Sequence, residues 1–165
     1  MPDLIPLSRI APSDIEALLD LAFGPNRHAR TAYRVRMGTL PIASLSFAAT
    51  EQGALVGSIQ CWPVELRGED GGCAPLVMVG PVAVRPDRQG DGIGRALMAR
   101  SIAAAGADAP LMLIGDPEYY GQFGFTADRT GGWSLPGPYE QRRLLAMGDV
   151  PASVGMVGPR ATIAA

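Results

Sequence analysis

Three glycines at alternate positions, Gly90, Gly92 and Gly94, follow an apolar run and lead at once into an Ala-rich segment. In Gln89-Gly90-Asp91-Gly92-Ile93-Gly94 the missing side chains let the backbone fold tightly and leave successive N–H groups uncovered where a helix begins. Unpaired amides and the positive end of a helix dipole together make an anion cradle, for which a pyrophosphate is a natural occupant. Arg85, Arg88 and Arg95 flank the turn and would add charge to neutralise phosphates. Two other phosphate motifs fail on spacing. A Walker loop needs Gly-Lys-Ser/Thr, and the chain contains no Lys. A dinucleotide fingerprint needs Gly or Ala in its last position, which falls on Arg95 counted from Gly90 and on Leu97 counted from Gly92.

Other reactive side chains are few. His28 is the sole histidine, so histidine-based metal clusters are excluded by count and no metal is expected. Cys61 and Cys73 make neither a disulfide framework nor a zinc pattern, and both read as small buried hydrophobes with reduced thiols. A net charge of −2 gives no reason to expect nucleic acid or anionic lipid as a partner. All 14 basic residues are Arg, which reflects coding bias rather than function. Met1 to Ile10 lacks the features of a signal peptide, and no run approaches the ~20 apolar residues of a membrane helix. The expected setting is the cytoplasm, with no membrane association.

The elements that must position these residues form one domain over residues 1–165. Leu4 to Ile10 reads as a first strand. Ser13-Asp14-Ile15-Glu16 reads as a capping box, with Ile15, Leu18, Leu19 and Ala22 at helical spacing behind it and Gly24-Pro25 as the stop. Arg27 to Met37 reads as a short second helix whose arginines form a solvated face. Leu45 to Thr50 and Leu55 to Leu66 form a hairpin, with Gly53 supplying a positive φ in the turn. Pro75 to Val84 is a central strand buried on both faces. Ile93 to Ala105 is a helix stopped by Gly106, Leu111 to Ile114 a strand, Pro117 to Phe123 a short helix, and Phe125 to Ala127 and Arg142 to Met147 strands.

Gln89-x-x-Gly92-x-Gly94 after an apolar strand resembles the coenzyme A signature of the GNAT-type N-acetyltransferase superfamily. Downstream, Tyr120-Gly121-Gln122-Phe123-Gly124-Phe125 resembles that family's Tyr-x-x-x-Gly-Phe segment, and Gly115 to Phe125 is particularly similar to the YhbS-like branch. The resemblance implies an α+β fold: a mixed, mostly antiparallel central sheet with flanking helices and two splayed central strands, here Leu76 to Val84 and Leu111 to Ile114. Gly80-Pro81 fits a bulge in the first of these.

The function so implied is transfer of an acetyl group from acetyl-CoA, as co-substrate, to an amine by direct attack in a ternary complex. Backbone amides of Gln89, Gly90, Asp91, Gly92, Ile93, Gly94 and Arg95 would hold the pyrophosphate. The Val82, Ala83 and Val84 backbone would pair with the pantetheine arm, the Val82 N–H polarising the thioester carbonyl. Tyr120 would protonate the leaving thiolate, and Phe123 would pack against the cofactor. No Cys or Ser stands in a nucleophile context, so a covalent acyl-enzyme is not expected. The first splayed strand carries no carboxylate; Glu65, Asp116 and Glu118 remain as candidate bases, beside a water chain or use of the free-base amine. Asp116-Pro117 reads as an N-cap with Pro at the first helical position. The alternatives are a non-catalytic acyl-CoA-binding regulatory module and the same fold with a longer acyl donor. The acceptor, a small-molecule or protein amine, would meet Phe23 to Met37, Cys61-Trp62-Pro63 and Ser134 to Arg142, and the C-terminal third could supply a homodimer interface.

Overall fold

The apolar run ahead of the glycine turn becomes β4, Cys73–Val84, and the one before it becomes β3, Ala54–Gly68, joined by a tight polar turn. In that turn Gly68 N–H donates to Gly72 O at 2.8 Å, and Gly72 N–H donates to the Asp70 carboxylate at 2.9 Å. The computed structural model describes residues 1–161. Among these, eight strands form one sheet in the order β1-β2-β3-β4-β5-β7, with β8 (Gly155–Pro159) against β3 and β6 (Trp133–Ser134) against β8. Most pairings are antiparallel; β4–β5 and β6–β8 are parallel. The mixed, mostly antiparallel α+β fold is as expected. Chain contacts gather into two compact units.

The first unit takes Met1–His28, Pro41–Cys61 and Gly80–Gly106. Here β1 (Asp3–Pro6) pairs with β2 (Phe47–Glu51), and β2 with β3 through a turn at Gln52 and Gly53, both at positive φ. Two positive φ values in a two-residue loop match the right-handed strand twist. Helix α1 (Pro12–Phe23) buries Ile15, Leu18 and Leu19 in a cluster with Leu7, Ala48 and Ala83. Each such side chain is worth about 1.5–3 kcal/mol of transfer free energy, so this stripe, not the cap, holds the helix.

The cap differs from expectation. The N-cap is Ala11, with Pro12 at the first helical position, and no side chain caps the helix. Proline has no N–H to satisfy and its φ suits a helix start, so the helix begins before Ser13. Glu16 is thereby released to pair with Arg27, which also donates to Asp20 at 2.9 Å. Arg27 is 3% exposed, so the expected solvated arginine face is corrected there. Helix α3 (Ile93–Ala105) has the expected bounds and ends at Gly106, φ 98°. A Cβ on Gly57 would lie 2.8 Å from Ile93 Cγ2, so that glycine is what lets α3 approach β3.

The second unit takes Ala29–Leu40, Trp62–Val79 and the chain from Ala107 on. Its core holds Trp62, Val64, Leu76, Met112, Trp133 and Leu144. The parallel β4–β5 ladder has two register positions, Val77↔Leu111 and Met78↔Met112, whereas all four residues of β5 (Leu111–Ile114) pair with β7 (Leu144–Met147). Instead of one helix from Arg27 to Met37, a 3₁₀ turn covers Pro25–Ala29 and α2 covers Thr31–Val35, leaving Arg36 buried between the rings of Tyr33 and Trp62, 4.0 and 3.8 Å from their centroids.

Three further expectations are corrected. Leu7–Arg9 is a 3₁₀ turn rather than part of β1. Phe125 to Ala127 contributes only the bridge Thr126↔Ala146. Cys73 is exposed, because it opens β4 beside the hairpin turn; Cys61 is buried as expected.

Candidate functional site

Past Val84 the chain leaves β4, and Arg85 N–H donates to Val56 O at 2.8 Å. A 3₁₀ turn, Pro86–Arg88, carries it to Gln89, which is extended. Gly90 at φ 88° and Gly92 at φ 84° then reverse the path in the left-handed region, where a side chain is strained. Gly92 is the N-cap of α3, with no side-chain cap bond, and its carbonyl accepts the Ala96 N–H at 3.0 Å. The amides of Ile93, Gly94 and Arg95 precede that bond, as the first turn of any helix requires. Nothing lies within 4 Å of where a Cβ would stand on Gly90 or Gly92. The turn therefore leaves open space beside Gly90 and Gly92 at the positive end of a 13-residue helix, whose first amides have no intrahelical acceptor.

The three arginines expected to add charge divide. Arg85 donates from Nε and one terminal nitrogen to the two carboxylate oxygens of Asp87, at 2.7 and 2.8 Å. Arg88 donates to Asp91 at 2.8 Å and also pairs with Glu51 at the end of β2. These partners hold both guanidinium groups more firmly protonated than usual. Arg95 is exposed and, among the described residues, is the one of the three with no ion pair.

The second group of candidates lies on α4, Pro117–Tyr120, and the 3₁₀ turn Gly121–Phe123. Asp116 is the N-cap by position and Pro117 the first helical residue, but the Asp116 carboxyl makes no capping bond. It bonds instead to Glu118, which raises the Asp116 pKa and lowers that of Glu118. Glu118 also pairs with Arg142. Tyr120 is half-buried against Tyr119, Phe123 and Phe125, with centroid separations of 4.8, 6.4 and 6.5 Å. Burial foremost, then Tyr119, raises the Tyr120 pKa, so its phenol keeps the proton a general acid must supply. A Cβ on Gly115 would stand 2.4 Å from Tyr120 Cε2, so the ring rests directly on that glycine's backbone.

The family model described as "Acetyltransferase (GNAT) domain" matches residues 43–127, from just before β2 through the bridge residue Thr126. The chain belongs to the GNAT acetyltransferase family. The uncharacterised N-acetyltransferase YhbS of Escherichia coli K12 is 29% identical over 114 residues, 67% of this chain and 65% of that protein, so the match stops short of two thirds of its length. The crystal structure of E. coli YhbS in complex with CoA superposes with a TM-score of 0.72 at 20% identity, covering 96% of this chain and 89% of that one. A GNAT family acetyltransferase from Brucella melitensis, in complex with acetyl-CoA, gives a TM-score of 0.63 at 26% identity, with 98% and 97% covered.

Within this GNAT chain the sequence-predicted residues fall into two local groups. Val82, Ala83, Val84 and Gln89 to Arg95 are contiguous in the first unit, and Tyr120 and Phe123 share one helical segment of the second. Ala83 points into the α1 core, which leaves Val82 and Val84, half-buried, on the opposite face of β4. Among the candidate bases, Glu65 is engaged by Arg67 at 3.3 Å and by the Cys73 thiol. Two features escaped the sequence reading: the seat of Tyr120 on Gly115 and the link from Arg88 to Glu51. A glycine next to a strand end hints at the first; no local pattern joins residues 37 positions apart.

Proposed function

We propose that this GNAT chain acts as one catalytic domain, in the cytoplasm, moving an acetyl group from acetyl-CoA to an amine by direct transfer in a ternary complex. The observation that carries the reading is the open turn of amides at the start of α3, with Gly92 at φ 84° as its N-cap. A pyrophosphate fits such a turn because its charge is met by several N–H donors and a helix dipole. The backbone of Val82 to Val84 takes the pantetheine arm as an added strand, and the Val82 N–H polarises the thioester carbonyl. The amine nitrogen bonds to the carbonyl carbon, the C–S bond breaks, and the thiolate takes the Tyr120 proton. The amine's own proton passes to water. No carboxylate stands on β4, and Glu65, Asp116 and Glu118 are already partnered, so the acceptor reacts as its free base.

Free-thiol release from acetyl-CoA, measured across a panel of small amines and amine-bearing peptides, tests this directly. One or more acceptors should release thiol, with kcat/KM rising about tenfold per pH unit below the acceptor's own pKa. Tyr120→Phe should lower kcat about 100-fold or more while leaving acetyl-CoA affinity within twofold. Donor binding without transfer to any amine would turn the reading toward a CoA-binding regulatory module.

A further inference from the structure

The amide turn has a flaw as an anion site: Asp91, immediately before the N-cap Gly92, adds a negative side chain to the turn's own sequence. Among the described residues its ion-pair partner is Arg88, whose Nε–H donates to Asp91 Oδ2 at 2.8 Å. The same guanidinium reaches Glu51 at the end of β2, where the hairpin turn begins. Arg88 is the less exposed member of both pairs, with a side-chain exposure of 22% against 42% for Glu51 and 51% for Asp91. We infer that Arg88 is a positioning residue for the coenzyme turn, cancelling the Asp91 charge and anchoring the turn to β2, so that a pyrophosphate meets amides and not a carboxylate. The inference rests on the site reading above and adds a role for a side chain that need not touch the ligand.

The geometry separates this role from that of a phosphate-binding arginine. A guanidinium that binds phosphate brings it net positive charge, whereas the Nε and one terminal nitrogen of Arg88 already bond two carboxylates that offset its charge. Removing Arg88 would expose the anion to Asp91 at short range, where like charges repel most strongly. Removing Asp91 as well would take away both the repulsion and the need for Arg88. A coupled pair of this kind is read from a double-mutant cycle.

Titration calorimetry with coenzyme A as the probe provides the test, at low and at high salt, on the parent, Arg88→Gln, Asp91→Asn and the double variant. Arg88→Gln should weaken binding about tenfold, Asp91→Asn should tighten it about threefold, and the double variant should recover to within about threefold of the parent. The Arg88→Gln loss should shrink at ~1 M salt, where the Debye length is about 3 Å. A loss through misfolding would persist in salt and in the double variant. Should Arg88→Gln not fold, Arg88→Lys, which keeps the charge, should bind within about threefold of the parent, while a folded Arg88→Met should bind about tenfold more weakly; a folded Arg88→Met that binds as the parent does overturns the inference. Normal binding by Arg88→Gln, or a double variant as weak as Arg88→Gln, overturns the inference and leaves the site reading standing. A folded parent that binds no coenzyme A overturns both.

Discussion

Counting Glu51 of β2, the side chains at the glycine turn carry as many negative as positive charges. Arg85 is matched by Asp87, Arg88 by Asp91 and Glu51, and Arg95 is left over. Affinity for an anion must therefore come chiefly from backbone amides, which sequence composition cannot display. Cys61 illustrates a second residue-scale effect. It is 1% exposed, and burial pushes its thiol from 9.0 up to about 12, with a bond to Ser101 working weakly the other way. The folded thiol thus stays protonated where the unfolded one ionises. The raised folded pKa means the contribution is complete below pH 9.0 and is lost as pH rises toward about 12. The thermal midpoint should fall across that window more steeply in the parent than in Cys61→Ala. Equal slopes would show that Cys61 remains exposed to water or ionises in place.

At the scale of elements, the decisive contact is between the end of β5 and α4. Gly115 N–H donates to Arg143 O at 2.9 Å, which continues the β5–β7 pairing, while the Tyr120 ring lies over the glycine's Cα. Gly115→Ala would put a methyl group 2.4 Å from the ring, and an aromatic ring cannot yield as a flexible chain end can. The expected outcome is a kcat lowered about tenfold or more with coenzyme A affinity within twofold, since the overpacking displaces Tyr120, the proposed acid, and not the amide turn. Parental kcat in a folded Gly115→Ala protein would contradict the assigned position of Tyr120. Elements set by strong local signals were legible in the sequence: Ile93–Ala105, with a glycine at each end, and Leu111–Ile114 have the expected bounds. The start of α1 was not, because a proline at the first helical position outweighed the Ser13–Glu16 pattern. Nor was Arg27, whose burial depends on Glu16 and Asp20 lying one helical turn apart on α1.

At the scale of the molecule, the sheet depends on a strand that carries little local signal. Gly155–Pro159 is short and rich in Gly and Pro, yet it pairs with β3 from Val64↔Pro159 to Gly68↔Gly155. A Cβ on Gly155 would stand 2.6 Å from Arg67 O, so the glycine that weakens the strand's propensity is what permits the pairing. Arg160 fixes the end of that strand by donating to Val64 O at 3.1 Å and Leu76 O at 3.2 Å. Long-range pairing of this kind is invisible to periodicity, whereas the glycine turn before α3 and the Tyr120 segment are local and were read directly. Calorimetric titration of acetyl-CoA into the parent and into Gly92→Glu tests whether this turn holds the donor's pyrophosphate, as proposed. At φ 84° a glutamate is strained, and it brings a negative side chain to the N-cap. The parent should bind saturably and a folded Gly92→Glu protein should not bind. Equal binding by both, or no binding by a folded parent, would contradict that proposal.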